Sequence, residues 1–300
     1  MSPVAGTGKA VIFVNASSGF DAKEDAPQKL VGWFGESGMD AQIHYVEKGV
    51  NLADETRQAV AAGAELVVAG GGDGTLSAVA AGLAGTDVSF GVLPVGTLNH
   101  FARDLGLPLD LEQAARIICR GRTAYVDVAE VNGKTFLNNA ILGLYPIFRF
   151  LRAEEERKGL PGKLALAVAA FRALWRYPFF RLRFLGGKRE IVRRTAYVLI
   201  ASNKHAMKGW NLGKRETLHG GKLWIYVMRP QTRFGLFWML LRLALGRFRG
   251  REYFDIFSTE EVWVDMKSRR LGVALDGEIH VMETPLHFRT LPRALRVVVP

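Results

Sequence analysis

Residues 67–80 read Val-Val-Ala-Gly-Gly-Gly-Asp-Gly-Thr-Leu-Ser-Ala-Val-Ala, four glycines around a single aspartate. Glycine inside a regular element costs stability, so a cluster of it marks a backbone that must turn tightly or approach something closely. An apolar run precedes the cluster. Beyond it Leu76, Val79, Ala80 and Leu83 fall at the i, i+3, i+4, i+7 spacing of a helix. Strand, glycine loop and helix start therefore meet at one point, which gathers backbone N–H groups and the positive end of a helix and so favours phosphate. The loop lacks the Gly-Lys-Ser/Thr of a Walker A motif and the spacing of Gly-x-Gly-x-x-Gly. An aspartate among phosphates repels them unless Mg²⁺ lies between, or unless the carboxylate handles a proton. On spacing alone, a plain tight turn and a phosphate loop both stand.

The surrounding chain narrows the fold. Ala10 to Asn15 (AVIFVN) is the short apolar run of a strand buried on both faces, and AQIHYV, ELVVAG and VSFGVLP follow it. Helix-like stretches separate these runs, among them DLEQAARIICR with Asp110 as its N-cap. Beyond residue 128 the pattern changes. Asn132-Gly133 and Asp276-Gly277 are hairpin turns. RTAYVLIAS, KLWIYVM, EYFDIFS, EVWVDM and LGVALDGEIHV are strand-like, and only KLALAVAAFRALWRY and FGLFWMLLRLALGRF look helical. The expectation is an α/β plus β chain of two domains. A doubly wound α/β nucleotide-binding domain spans 1–128, a mostly antiparallel β domain spans 129–289, and the last run, within 290–300, returns to the first.

Three hundred residues, 49% of them hydrophobic, can bury a full core. The lone Cys119 excludes a disulfide framework and a thiolate metal cluster and suits a reducing cytosol. The apolar run Val11 to Val14 is too short for a secretory signal, and Phe234 to Leu241 is far short of a membrane span. A cytoplasmic protein, soluble or peripheral at the membrane inner face, is expected. The net charge of +11 divides into −6 over residues 1–128 and +17 over the rest, so an anionic membrane or a nucleic acid is the natural partner of the basic part. Within RPQTRFGLFWMLLRLALGRFRGR (229–251), Phe234, Phe237, Trp238 and Leu241 share one helical stripe with arginines at its edges. That stripe is either a core face or a peripheral membrane helix. The EEERK run at 154–158 reads as a solvated helix face.

A second stretch, GVLPVGTLNHFARDLGLP (91–108), again runs strand, glycine, hydroxyl, asparagine and helix. Thr97 and Asn99 either cap that helix or face a ligand at a strand-to-helix switch. Together GGGDGT (70–75) and GTLNHFARDLGLP (96–108) resemble the diacylglycerol kinase catalytic family. That family takes in bacterial diacylglycerol kinase-like lipid kinases and, more distantly, sphingosine and ceramide kinases. VNASSG (14–19) resembles the family's Asn-Pro-x-Ser-Gly, with Ala16 in place of proline. YVDVAEVNGKTFLNNAILGLYP (125–146) resembles the segment that crosses between domains, and LDGE (275–278) the late motif with an acidic catalytic residue.

The resemblance implies an α/β nucleotide domain followed by a β-sandwich-like domain. It implies transfer of the γ-phosphoryl of ATP, with Mg²⁺, to a lipid hydroxyl such as that of diacylglycerol, met at an anionic membrane surface and without nucleic acid. Gly71, Gly72, Gly74 and Thr75 would cradle phosphates, Thr97 and Asn99 would contact nucleotide or hold the loop, and Asn15 would join them. Of three matching acids, Asp73 would organise Mg²⁺, Glu278 would be the general base and Asp127 a supporting acid. Glu278 also reads as a hairpin residue, and Asp127 as purely structural. Two departures stand out. Members often carry Asp-Asp-Gly before a late strand as part of a structural Mg²⁺ site; here LHGGKLWIYVM puts His219 and Gly220 there, a poor match for a cation that wants oxygen. Glu47 lies near where many members have a threonine facing the nucleotide. Two other functions remain open: an NAD kinase-like phosphotransferase and a non-catalytic basic protein that binds membrane or nucleic acid. Against the first, Asn138 is followed by Asn139 rather than the expected glutamate; against nucleic acid, no recognised binding motif is present.

Overall fold

The computed structural model describes residues 2–3, 8–15, 26–47, 49–158, 162, 164–165, 168, 172, 175, 179–186, 189–208, 211–229, 232–245 and 250–300. Two compact units divide the chain. One comprises Met1–Asn138, Thr217–Gly221 and Leu291–Pro300, the other Asn139–Glu216 and Lys222–Thr290.

In the first unit, strands and helices alternate: β1 (Ser2–Pro3), β2 (Lys9–Asn15), α1 (Ala26–Gly35), β3 (Asp40–Val46), α2 (Leu52–Ala61), β4 (Leu66–Gly70), α3 (Asp73–Leu83) and β5 (Ser89–Leu93). Short α4 (His100–Asp104), α5 (Leu111–Arg120), β6 (Arg122–Val131) and β7 (Lys134–Phe136) complete the run. Parallel pairing gives the order β3-β2-β4-β5, continued by the end of the last strand, where Val297 pairs with Phe90. Successive residues of the central strands face opposite ways. Val11, Phe13, Val67, Ala69, Phe90 and Val92 pack with Leu76, Val79, Ala80 and Leu83 of α3. Ala10, Ile12, Val14, Leu66, Val68 and Leu93 pack with Leu30 and Phe34 of α1 and Ala115, Ile118 and Cys119 of α5. This is why these strands read as continuous apolar runs: both faces are covered. Asp110 caps α5 as expected, accepting from the Gln113 N–H at 3.0 Å. Because the chain leaves β2 toward β3 but leaves β4 toward β5, the winding reverses between β2 and β4. In open α/β sheets ligands bind outside the carboxyl ends of the strands at such a point.

The second unit is β-sandwich-like, and together the units make the two-domain α/β plus β chain the sequence predicts. One antiparallel sheet has the order β15-β14-β11-β8-β17-β18. Its strands are β8 (Asn139–Gly143), β11 (Tyr197–Ser202), β14 (Leu223–Met228), β15 (Phe254–Thr259), β17 (Arg270–Leu275) and β18 (Glu278–Glu283). The other joins β10 (Arg189–Thr195), β9 (Phe180–Gly186), β16 (Glu261–Asp265) and the start of β19 (Leu286–Val299). Phe184 of β9 meets Phe257 of β15 edge to face, with ring centroids 5.7 Å apart. A small hairpin pairs β12 (His205–Lys208) with β13 (Asn211–Arg215). Helix α7 (Arg233–Ala244) lays Leu236 and Met239 on Leu199, Ala201, Tyr226 and Met228, and α8 (Gly250–Tyr253) leads into β15. Both predicted hairpin turns form: Asn132-Gly133 and Asp276-Gly277 have positive φ at both residues, as a two-residue hairpin requires.

Three features differ from the sequence reading. Helix α6 (Leu144–Arg157) carries the EEERK run but begins ten residues before it, a start the sequence reading does not contain; Pro146 sits in the first turn, where its missing N–H is not needed. The EEERK run is not wholly solvated, since Glu155 is buried and ion-paired with Arg172 and Lys158. Strand β9 and most of β10 lie outside the strand-like runs read from the sequence, although Arg181, Leu182, Arg183 and Phe184 alternate exposed and buried. The expected helix over 163–177 lies largely outside the described residues, as do residues 16–19 of VNASSG.

Asp127, in β6, is 2% exposed. Its Oδ2 accepts the Gly221 N–H at 2.6 Å, its Oδ1 accepts the Arg293 N–H at 2.9 Å, and its own N–H donates to the Leu218 carbonyl at 2.7 Å. One buried carboxylate thus fastens the 217–221 loop and the returning terminal segment to the first unit. Asp127→Asn turns an NH₂ toward one of those amides and loses two charge-assisted bonds. We expect a loss of about 3 kcal/mol, seen as a fall in Tm of roughly 6–12 °C in a thermal melt.

Candidate active site

Apart from Asp127 in β6, the predicted site residues of the first unit lie at the carboxyl ends of β2, β4 and β5, at or beside the reversal between β2 and β4. Asn15 ends β2, and its Nδ2 donates to Thr75 Oγ1 at 3.2 Å. Strand β4, buried throughout, ends at Gly70; Gly72 is the N-cap of α3 in extended backbone, and Asp73, Gly74 and Thr75 make the first turn. The first helical bond runs from the Leu76 N–H to the Gly72 carbonyl at 3.1 Å. The amides of residues 73–75 precede it, among the donors that a helix leaves without an intrahelical partner. A side chain at Gly72 would meet open space, whereas a Cβ on Gly71 would lie 2.7 Å from Thr75 Cβ.

The second glycine loop packs against the first. A Cβ on Gly96 would come within 2.8 Å of both the Gly71 carbonyl oxygen and Gly72 Cα. Asn99 fixes this loop from inside. It adopts a left-handed backbone, φ 51°, and is buried; its Oδ1 accepts the Gly96 N–H at 2.9 Å and its Nδ2 donates to the Pro94 carbonyl at 3.3 Å. The side chain therefore holds its own turn, one of the two roles left open for it. Thr97 lies exposed on the same loop.

Asp73 is where the two turns meet. Its Oδ1 accepts the Phe101 N–H at 3.3 Å, at the start of α4, and lies 3.5 Å from Asn138 Nδ2. Asn138, 4% exposed at the end of the first unit, is a contact that sequence reasoning did not assign, using it only to weigh one family against another. Its signal was a polar residue directly after the apolar Phe136-Leu137 of a strand end. In the second unit Glu278 opens β18 immediately after the Asp276-Gly277 turn, opposite Leu275, with its side chain exposed. Asp276 is structural: its Oδ1 accepts the Asn139 N–H at 2.9 Å and its own N–H donates to the Asn139 carbonyl at 2.9 Å. His219 and Gly220 are exposed, and among the described residues no three His, Cys, Asp or Glu side chains come together as a metal site. Glu47 follows β3 and is exposed.

This geometry has relatives. Residues 9–131 match the family model described as "Diacylglycerol kinase catalytic domain", and residues 151–299 match "YegS C-terminal NAD kinase beta sandwich-like domain". A Pseudomonas syringae pv. tomato protein named "Probable lipid kinase YegS-like" is 35% identical over 273 residues, covering 88% of this chain and 86% of that protein. The protein named "Diacylglycerol kinase" in Bacillus subtilis is 33% identical over 135 residues, covering 44% of this chain and 45% of its own. In three dimensions, a Bacillus anthracis crystal structure described as a diacylglycerol kinase superposes with a TM-score of 0.67 over 99% of this chain and 98% of that one, at 18% identity. At that identity and coverage, the chain belongs to the lipid kinase family built on the diacylglycerol kinase catalytic domain.

Proposed function

We propose that this protein is an ATP-dependent kinase that transfers the γ-phosphoryl group to a lipid hydroxyl such as that of diacylglycerol, at an anionic membrane surface on the cytoplasmic side. The observation that carries the reading is the start of α3. Its first-turn amides, which have no intrahelical partner, an open Gly72 and the carboxylate of Asp73 lie together at the carboxyl end of β4, beside the reversal point of the sheet. Amides at a helix N-terminus suit phosphate oxygens, and Gly71, Gly72, Gly74 and Thr75 form the cradle. Asn15 orients Thr75 from the neighbouring strand, while Asn99 keeps the Gly96 turn pressed against the loop. Thr97 is the exposed hydroxyl available to the nucleotide.

Asp73 fits a divalent cation that arrives with the phosphates. Magnesium takes one or two carboxylates together with phosphate oxygens and water, and Asp73 is one carboxylate, steadied by Phe101 and Asn138, at the phosphate cradle. The cation supplies charge neutralisation, the main demand of phosphoryl transfer. A second, structural cation at 217–221 does not fit. The exposed His219 and Gly220 offer no carboxylate, and both Asp127 oxygens already accept main-chain amides. Asp127 accordingly enters as a positioning residue, not as an acid that meets substrate. Glu278 is the proposed general base, an exposed carboxylate able to accept the proton of the attacking hydroxyl.

Asp73→Asn should abolish transfer while leaving the melting curve intact, because the loop's shape depends on glycine rather than on the charge. Normal turnover in that variant would remove Asp73 from the mechanism. Glu278→Gln should lower kcat by roughly 10²-fold; an unchanged rate would make it a hairpin residue only. The class itself is tested with radiolabelled ATP, Mg²⁺ and mixed micelles containing diacylglycerol. Label in the organic phase, lost in Asp73→Asn, is expected. Label only in a water-soluble product when NAD is added would replace this reading with an NAD kinase.

A further inference from the structure

A cleft of about 500 Å³ opens in the second unit, lined by Val192, Arg193 and Arg194 of β10, Met228 and Arg229 at the end of β14, and Asp255 of β15. Its charges do not balance. Arg229 Nε donates to Asp255 Oδ1 at 2.9 Å, and Arg193 Nε lies 3.7 Å from Oδ2, so one carboxylate serves two guanidinium groups, while Arg194, which also lines the cleft, holds its guanidinium over the Phe179 ring, 5.4 Å from the centroid. Across the β9–β10 ladder Arg194 also stands directly opposite Arg181. Like charges in facing positions destabilise a strand pair. An anion bound beside them would relieve that cost.

The neighbouring surface says which anion. Helix α7 begins four residues after Arg229 and is apolar on two sides. Leu236 and Met239 are buried with Met228, whereas Phe234, Phe237 and Trp238 expose 75%, 55% and 48% of their surface. Their i, i+3, i+4 spacing puts all three rings on one face. The helix and the cleft are linked through α8: Arg242 Nη1 donates to the Tyr253 hydroxyl at 3.2 Å, and Arg229 Nη1 donates to the Glu252 carbonyl at 3.3 Å. Free phosphate would use the arginines and leave the rings wet, and a nucleic-acid backbone has no apolar layer to receive them. An anionic bilayer satisfies both, with phosphodiesters at the level of the guanidinium groups and an acyl boundary below.

We propose that this face docks on an anionic phospholipid bilayer, seating one headgroup phosphodiester in the Arg193–Arg194–Arg229 cleft and Phe234, Phe237 and Trp238 in the acyl boundary. The inference deepens the membrane part of the proposed function, and its test reads binding alone, so failed transfer and failed docking are distinguishable. Sedimentation with phosphatidylcholine vesicles, with and without phosphatidylglycerol, should show binding only to the anionic ones, weakened by salt. Arg193→Gln with Arg194→Gln should lower that partitioning roughly 20-fold; Phe237→Ser with Trp238→Ser should abolish it, and both double variants should melt as the parent does. Parent-like vesicle binding by folded Arg193→Gln/Arg194→Gln protein overturns the cleft assignment. Equal binding to neutral vesicles, or retention on duplex DNA without retention on anionic vesicles, overturns the proposal outright.

Discussion

Two turns can share the reversal point of this sheet only because neither carries a side chain where they touch. A Cβ on Gly96 would lie within 2.8 Å of the backbone of Gly71 and Gly72, and one on Gly71 would strike Thr75. Backbone cannot rotate away as a long side chain can, so the close approach fixes glycine at 96, and at 71 the obstacle is Thr75 Cβ, which no rotamer moves. Much follows from it. The start of α3 is brought beside the start of α4, so that the Phe101 amide reaches Asp73. Asn99 accepts a left-handed backbone and in return satisfies the amide and carbonyl of its own loop. The two loops are thus fixed against each other, and donors so fixed would need little reorganisation if charge developed beside them.

That rigidity separates the two acids of the first unit. Asp73 stands in a helix first turn, partly exposed, held through Oδ1. Asp127 is buried, and main-chain amides occupy both of its oxygens. The same residue type is a fastener in one place and, in the proposed function, a cation ligand in the other, and the number of donors already engaged tells them apart. The 217–221 loop is held through the Asp127 carboxylate and main-chain amides. Gly221, at φ +63°, presents its N–H to Asp127 from the left-handed region that glycine enters without strain.

What could be read from the sequence follows the range of the interactions. Strands β2, β4 and β5, helix α3 and the Asp110 cap are set by local periodicity and short-range bonding, and they stand where the pattern put them. The hairpins at Asn132-Gly133 and Asp276-Gly277 were legible for the same reason. The start of α6 is not legible, because a proline is tolerated in a helix's first turn and that place is known only once the start is known. The burial of Glu155 depends on Arg172, seventeen residues on, and the fastening role of Asp127 on residues about 90 and 170 positions away. No window of sequence contains such a pair. Asn138 is the middle case: its position was noticed, but its contact with Asp73 is a fact of tertiary structure.

The α7 stripe shows how a sequence ambiguity can be real rather than a failure of reading. Periodicity allowed a core helix or a surface helix, and the structure contains both at once. Leu236 and Met239 provide the burial that holds the helix to its sheet, at roughly 1.5–3 kcal/mol for each side chain, and this lets the opposite face remain apolar without being needed for folding. Three large rings together in water are a cost that burial elsewhere must offset, and contiguous exposed apolar surface of this kind marks an interaction site. The arginines of β10 and β14 beside it carry the complementary half of the same signal. An aromatic face and an unbalanced basic cleft each have ordinary explanations alone; side by side on one unit, they select a partner that is apolar in depth and anionic at its surface.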